Sequence, residues 1–110
     1  MKVAVVGSRS LEILNLEKYM PSETLEIVSG GAKGIDFCAK KYALKNNINF
    51  KEFWPLYSLH GKKAPLIRNL QIIDYSDIVI VFWDGKSGGT KFVIDNCKKR
   101  NKPCDVYYMM

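Results

Sequence analysis

The chain has 110 residues, 17 of them basic and 11 acidic, giving a net charge of +6, and 47% are hydrophobic. That is apolar material for one buried core without disulfide or metal staples, so a single domain over 1–110 of the ordinary soluble globular kind is expected. No apolar run approaches the ~18 residues that a membrane-crossing helix needs.

The three cysteines, Cys38, Cys97 and Cys104, are odd in number and follow no metal or CxxC spacing, which reads as reduced core thiols. With no signal-peptide pattern at the start, the expected location is the cytoplasm. The positive balance favours anionic partners: nucleotides, nucleic acid or phosphorylated small molecules.

In chain order, the β-branched run at 2–6 predicts a buried strand. Leucines and charges at 10–20 predict a helix closed by Pro21, and 25–28 a second strand. A helix at 34–45 runs into the turn-forming Asn46-Asn47, and a weaker strand follows at 49–54. Residues 57–63 read as a polar loop. At 64–75, Pro65 suits a first turn, and Leu66, Ile67, Leu70 and Ile73 supply an apolar face. The strongest strand signal lies at 77–83, then a helix at 88–100 and a last strand at 103–108. Strands alternating with helices of this length imply parallel crossovers: an α/β three-layer sandwich around a five-stranded parallel sheet.

In such sheets ligands bind beyond the carboxyl ends of the strands. Here those ends are the glycine-rich ones. The first strand runs into Gly7-Ser8-Arg9, the second into Ser29-Gly30-Gly31-Ala32-Lys33-Gly34, and the fourth into Asp84-Gly85-Lys86-Ser87-Gly88-Gly89-Thr90. The opposite edge, with Pro21-Ser22-Glu23, Asn46-Asn47 and Tyr75-Ser76, has no glycine. Glycine admits a phosphate close to the backbone, and a helix N-terminus offers unpaired N–H groups and a positive dipole end. Hydroxyls of Ser8, Ser29, Ser87 and Thr90, with Arg9, Lys33 and Lys86, complete a set suited to a phosphate. Neither GxGxxG after the first strand nor a P-loop is present.

Other residues carry two readings each. Asp36 either caps its helix or bonds a ribose hydroxyl or base. Asp84 acts on a ligand as base or acceptor, or holds its turn. Lys98-Lys99-Arg100-Lys102 closes the fourth helix favourably and lies away from the site. Trp54, Tyr57, Trp83 and Phe92 are core residues or stack a base, with Trp83 the best placed. No aromatic-plus-basic stripe of a single-strand groove shows in the sequence. His60 has no second histidine or cysteine pair beside it, so no metal site is expected.

SGGAKGID at 29–36, followed by Ala39 and Ala43-Leu44, resembles the SG-x-A-[RK]-GID-x-x-A signature of the DNA-processing protein A (Smf) Rossmann domain. Val5-Val6-Gly7-Ser8-Arg9 is similar to that superfamily's first strand and loop. Trp54-Pro55, Gly61-Lys62-Lys63-Ala64-Pro65-Leu66-Ile67-Arg68-Asn69 and the strand 77–83 resemble the YspA-related branch of the SLOG superfamily. That superfamily also holds the LONELY GUY-type, lysine decarboxylase-like phosphoribohydrolases. The resemblance implies a Rossmann-like fold, a site for a nucleotide-derived ligand, no required cofactor, and a functional Arg68-Asn69 pair. Arg68 in the first turns of its helix can clamp a phosphate, or make a surface salt bridge.

The phosphoribohydrolases place a glutamate three residues after the threonine of their Gly-Thr element; counted from Thr90, that position here is Val93. The first expectation is therefore binding of a nucleotide or nucleotide-derived ligand. The alternatives are a nucleotide N-glycosidic hydrolase and single-stranded nucleic-acid binding. Small Rossmann-like domains often pair, so a homo-oligomer is also expected.

Overall fold

The computed structural model describes residues 1–30 and 33–109. Five strands, β1 (Lys2–Gly7), β2 (Glu26–Ser29), β3 (Asn49–Glu52), β4 (Ile78–Trp83) and β5 (Cys104–Tyr108), form one sheet in the order β3-β2-β1-β4-β5. Every neighbouring pair is parallel. The helices are α1 (Ile35–Lys45), the single turn α2 (Tyr57–His60), α3 (Ala64–Tyr75) and α4 (Gly88–Lys99).

The strand sequences dictate the layers, because alternate side chains leave a strand on opposite faces. Val3 and Val5 of β1 join Ile27, Ile80 and Phe82 beneath α1, through Ile35, Ala39 and Ala43. Ala4 and Val6 point the other way and join Val28, Val79 and Val81 beneath α3 and α4, through Ile72, Ile73, Val93, Ile94 and Cys97. The central strands are therefore buried on both faces, and β1 and β4 are continuous apolar runs. The three cysteines are free thiols, Cys97 fully buried.

From β1 the chain moves outward to β2 and β3, then crosses to the other face through α3 to reach β4 on the far side of β1. The β1/β4 boundary is thus the point where strand order reverses, and a crevice opens beyond its carboxyl end. Gly7 pairs with Phe82 at the rim.

Two segments differ from the sequence expectation. The helix expected at 10–20 is only a 3-10 turn, Leu16–Tyr19. Leu11, Ile13, Leu16, Tyr19 and Met20 pack onto the α1-side core, while Leu14 is 98% exposed. Leu11 and Leu14 would share a helical face, so burying 11, 13 and 16 together requires an irregular path. Local ties hold that path: Leu11 N–H donates to Ser8 O (3.2 Å), and Ile13 N–H to Cys38 Sγ (3.5 Å). The loop expected at 57–63 is instead α2 followed by the 3-10 turn Gly61–Lys63. Among the described residues no helix is long and apolar enough to cross a membrane.

Candidate functional site

A cavity of about 240 Å³ opens at the β1/β4 switch point. Its walls are Gly7 and Arg9 from the end of β1, Asp36 from α1, Pro65, Leu66, Arg68 and Asn69 from α3, and Ser87, Gly89 and Thr90 from α4. Val6, Ile72 and Val93 form its apolar floor. Pro65 and Leu66 also line the cavity, although their positions in sequence point to a first turn and an apolar helix face rather than to a ligand.

The cleft's cations come from distant segments. Arg68 is half-buried and held by three bonds: Nη1 donates to Gly30 O (2.8 Å) and Phe53 O (3.5 Å), and Nε to Asn69 Oδ1 (2.9 Å). Burial pulls its pKa below the ordinary arginine value, Asp36 and Tyr57 oppose that pull, and Arg9 adds to it. The last effect is like-charge repulsion, consistent with both arginines lining the same cavity. Arg9 is exposed and, among the described residues, makes no ion pair.

The glycines divide into two kinds. A Cβ at Gly7 would lie 2.5 Å from Ile35 Cγ1 and 2.6 Å from Phe82 O, and one at Gly30 would lie 2.7 Å from Arg68 Nη1. Gly30 is thus approached by arginine, with Asp36 Oδ2 3.1 Å from the same point. At Gly88 and Gly89 a Cβ would meet nothing within 4 Å. Packing does not require glycine there, and the backbone of Gly88 and Gly89 is exposed. Ser87 caps that turn, accepting from Thr90 N–H at 3.5 Å and from Thr90 Oγ1 at 3.2 Å.

Several predicted site residues turn inward. Ser29 is fully buried and its hydroxyl donates to Val5 O (2.9 Å). Ser8 is buried, with Oγ accepting from Asp84 N–H at 3.2 Å. Lys33 is exposed, and neither it, Gly34 nor Gly88 lines the cavity. Gly31 lies outside the described residues.

Asp84 also stands outside the cavity. Its Oδ1 accepts from the N–H of Lys86 and of Ser87, both at 2.8 Å, and its Oδ2 from Ser10 Oγ at 3.1 Å. The two backbone bonds first, then Ser10 and Ser8, lower its pKa from 3.8 to about 2. A carboxylate so engaged is a poor general base and a good turn anchor. Because the folded value lies below the unfolded value near ~3.9, its stabilisation is complete above that pH and disappears as pH falls through about 2. Asp84→Asn is therefore expected to lower the melting temperature at neutral pH. Melts between pH 7 and 2 should show the gap to wild type closing at the acid end.

Trp83 does not face the cleft: its Nε1 donates to Ser87 O (3.0 Å) and its ring packs edge-on against Tyr108. At the opposite end of α4, Arg100 Nε pairs with Asp74 Oδ1 (2.9 Å), and Lys102 Nζ donates to Ser76 O. Among the described residues no group of three or more His, Cys, Asp or Glu gathers as a metal site.

A family model described as DNA recombination-mediator protein A matches residues 1–51. DNA processing protein A from Streptococcus pneumoniae superposes with a TM-score of 0.77 at 24% identity, over 96% of this chain. This chain is similar to DNA-processing protein A in its Rossmann-like fold and over its first 51 residues. The Helicobacter pylori DNA-processing protein A, whose structure addresses its single-stranded DNA binding mode, superposes with a TM-score of 0.74 at 25% identity over 100% of this chain. The chain spans 49% and 66% of those two DNA-processing proteins. No curated protein gives a significant match.

Proposed function

We propose that this domain binds single-stranded nucleic acid in the cytoplasm, seating a backbone phosphate in the switch-point cleft between Arg9, Arg68 and the first turn of α4. The observation that carries this reading is that Arg9, Arg68 and the unobstructed backbone of Gly89 line one small cavity. Like-charged arginines repel each other in the free protein, and a phosphate between them relieves that repulsion. The N–H groups opening α4 add donors at the positive end of its dipole.

Size favours a polymer over a free nucleotide. About 240 Å³ is less than the ~300–1,000 Å³ of pockets that engulf a small-molecule ligand. It accommodates a phosphate and adjoining sugar, leaving bases and neighbouring phosphates outside. The single-stranded DNA binding mode of the H. pylori relative supports the same partner. The hydrolase alternative has no footing in the cleft. Val93 occupies the floor, and Asp36 is the only carboxylate on the walls among the described residues, whereas glycosidic cleavage usually uses two.

Thermal melts with oligothymidylate and with thymidine monophosphate at equal phosphate concentration test the proposal. The oligonucleotide is expected to raise the melting temperature and the monomer to leave it unchanged. An equal rise with the monomer returns the site to a free nucleotide, and no rise with either refutes the reading. Gly89→Ala sharpens the test. Its new methyl meets no protein atom, so stability should hold or rise by up to ~1 kcal/mol. Gly89 lines the cleft, so oligonucleotide affinity should fall several-fold.

A further inference from the structure

A second cavity, of about 200 Å³, adjoins the first, and Asp36 lines both. It lies between the outer face of α1 and the end of β3, bounded by Phe37, Lys40, Lys41, Leu44, Glu52 and Trp54. Phe37 is 57% exposed and Trp54 is 59% exposed. Rings of that size normally bury most of their surface, and two of them on one groove constitute an apolar patch with polar edges. Tyr57, also exposed, sits between groove and cleft in sequence and acts electrostatically on Arg68.

The charges sort by pairing. Lys40 Nζ meets Glu52 Oε1 at 3.1 Å, and Asp36 acts on Arg68. Lys41 has no carboxylate partner among the described residues, and its Nζ stands 5.5 Å from the centroid of the Phe37 ring. What remains is a lysine without a carboxylate partner, resting over one face of the Phe37 ring, beside the exposed Trp54 ring, in a groove that shares Asp36 with the cleft. That is the composition of a single-strand platform: bases stack on aromatic faces while lysine follows the backbone.

We infer that Phe37 and Trp54 form a base-stacking extension of the phosphate cleft, with Lys41 meeting the next phosphate. The inference rests on the single-strand reading above. A strand leaving the cleft past Asp36 runs outward along α1, and its length decides whether it reaches the groove. The sequence hid this surface because Phe37 and Lys41 lie on a helix and Trp54 at a strand end, apart in sequence and joined only by β2–α1–β3 packing.

The test uses Trp83→Phe, which leaves Trp54 as the only tryptophan, and oligothymidylates of about 4 and about 16 nucleotides. Binding is followed by anisotropy of the labelled oligonucleotide, and stacking by tryptophan emission. The long strand should bind and quench Trp54, and the short strand should bind without quenching. Adding Trp54→Ala or Phe37→Ala should weaken the long strand about 5-fold or more and leave the short one unchanged. Anisotropy showing binding of the long strand with no change in Trp54 emission, and no loss in the alanine variants, overturns the inference and leaves the cleft intact. Emission that follows protein concentration instead makes the groove a contact between copies and also overturns it. Absence of binding by anisotropy removes both readings together.

Discussion

Gly34→Ala is expected to destabilise the fold by about 3 kcal/mol. Gly34 precedes α1 with φ of 72° and ψ of −122°, a conformation that side-chain-bearing residues reach only with strain. The added Cβ would also lie 2.5 Å from Arg9 O and 2.8 Å from Ser8 O. Both obstacles are backbone, and Ser8 is pinned to β4 through its N–H to Phe82 O (3.1 Å), so neither yields easily. At roughly 4–8 °C per kcal/mol for a domain near this size, the melting temperature should drop by roughly 15 °C. A drop under about 5 °C would mean that the segment carrying Arg9 is not clamped against Gly34. Gly89→Ala is the matched control, the same methyl added where nothing stands in its way.

The largest functional effect is expected from Arg9→Ala. Arg9 is exposed and has no ion-pair partner among the described residues, so its removal should leave stability within about 0.5 kcal/mol. It supplies one of the two guanidinium groups on the cleft, and affinity for single-stranded DNA should fall about 10- to 100-fold, the range of one charge-assisted phosphate contact. The dependence of log K on log salt should become shallower by about 0.7, one backbone phosphate released. Arg9→Lys should restore part of the affinity through charge alone, without the bidentate fork. Arg68→Ala is a less clean probe, because it also leaves Gly30 O and Phe53 O without their donor. Unchanged affinity and slope in Arg9→Ala would remove Arg9 from the site.

The sequence showed the fold wherever burial was two-sided or periodicity clean. Lys2–Gly7 and Ile78–Trp83 are apolar runs because both faces are covered, and Ala64–Tyr75 keeps one apolar face throughout. The stretch at 10–20 misled because its leucines serve an irregular path whose partners, Cys38 and Asp84, lie far along the chain. Within the site, residue types were legible and their directions were not. Ser29 points into the sheet toward Val5, and Gly30 is close to Arg68, 38 residues away. Gly30 therefore looks toward Arg68 and the buried Asp36, and Gly34 toward the backbone of Ser8 and Arg9. The open backbone belongs to Gly88 and Gly89, which in sequence were the less conspicuous pair.

A crystal structure of the protein with bound oligothymidylate would show whether phosphate occupies the switch-point cleft. The expectation is a backbone phosphate within hydrogen-bonding distance of the Arg9 guanidinium and of the N–H groups that open α4. A strand lying instead along the basic end of α4 at Lys98, Lys99 and Arg100, with no phosphate in the switch-point cleft, would contradict it.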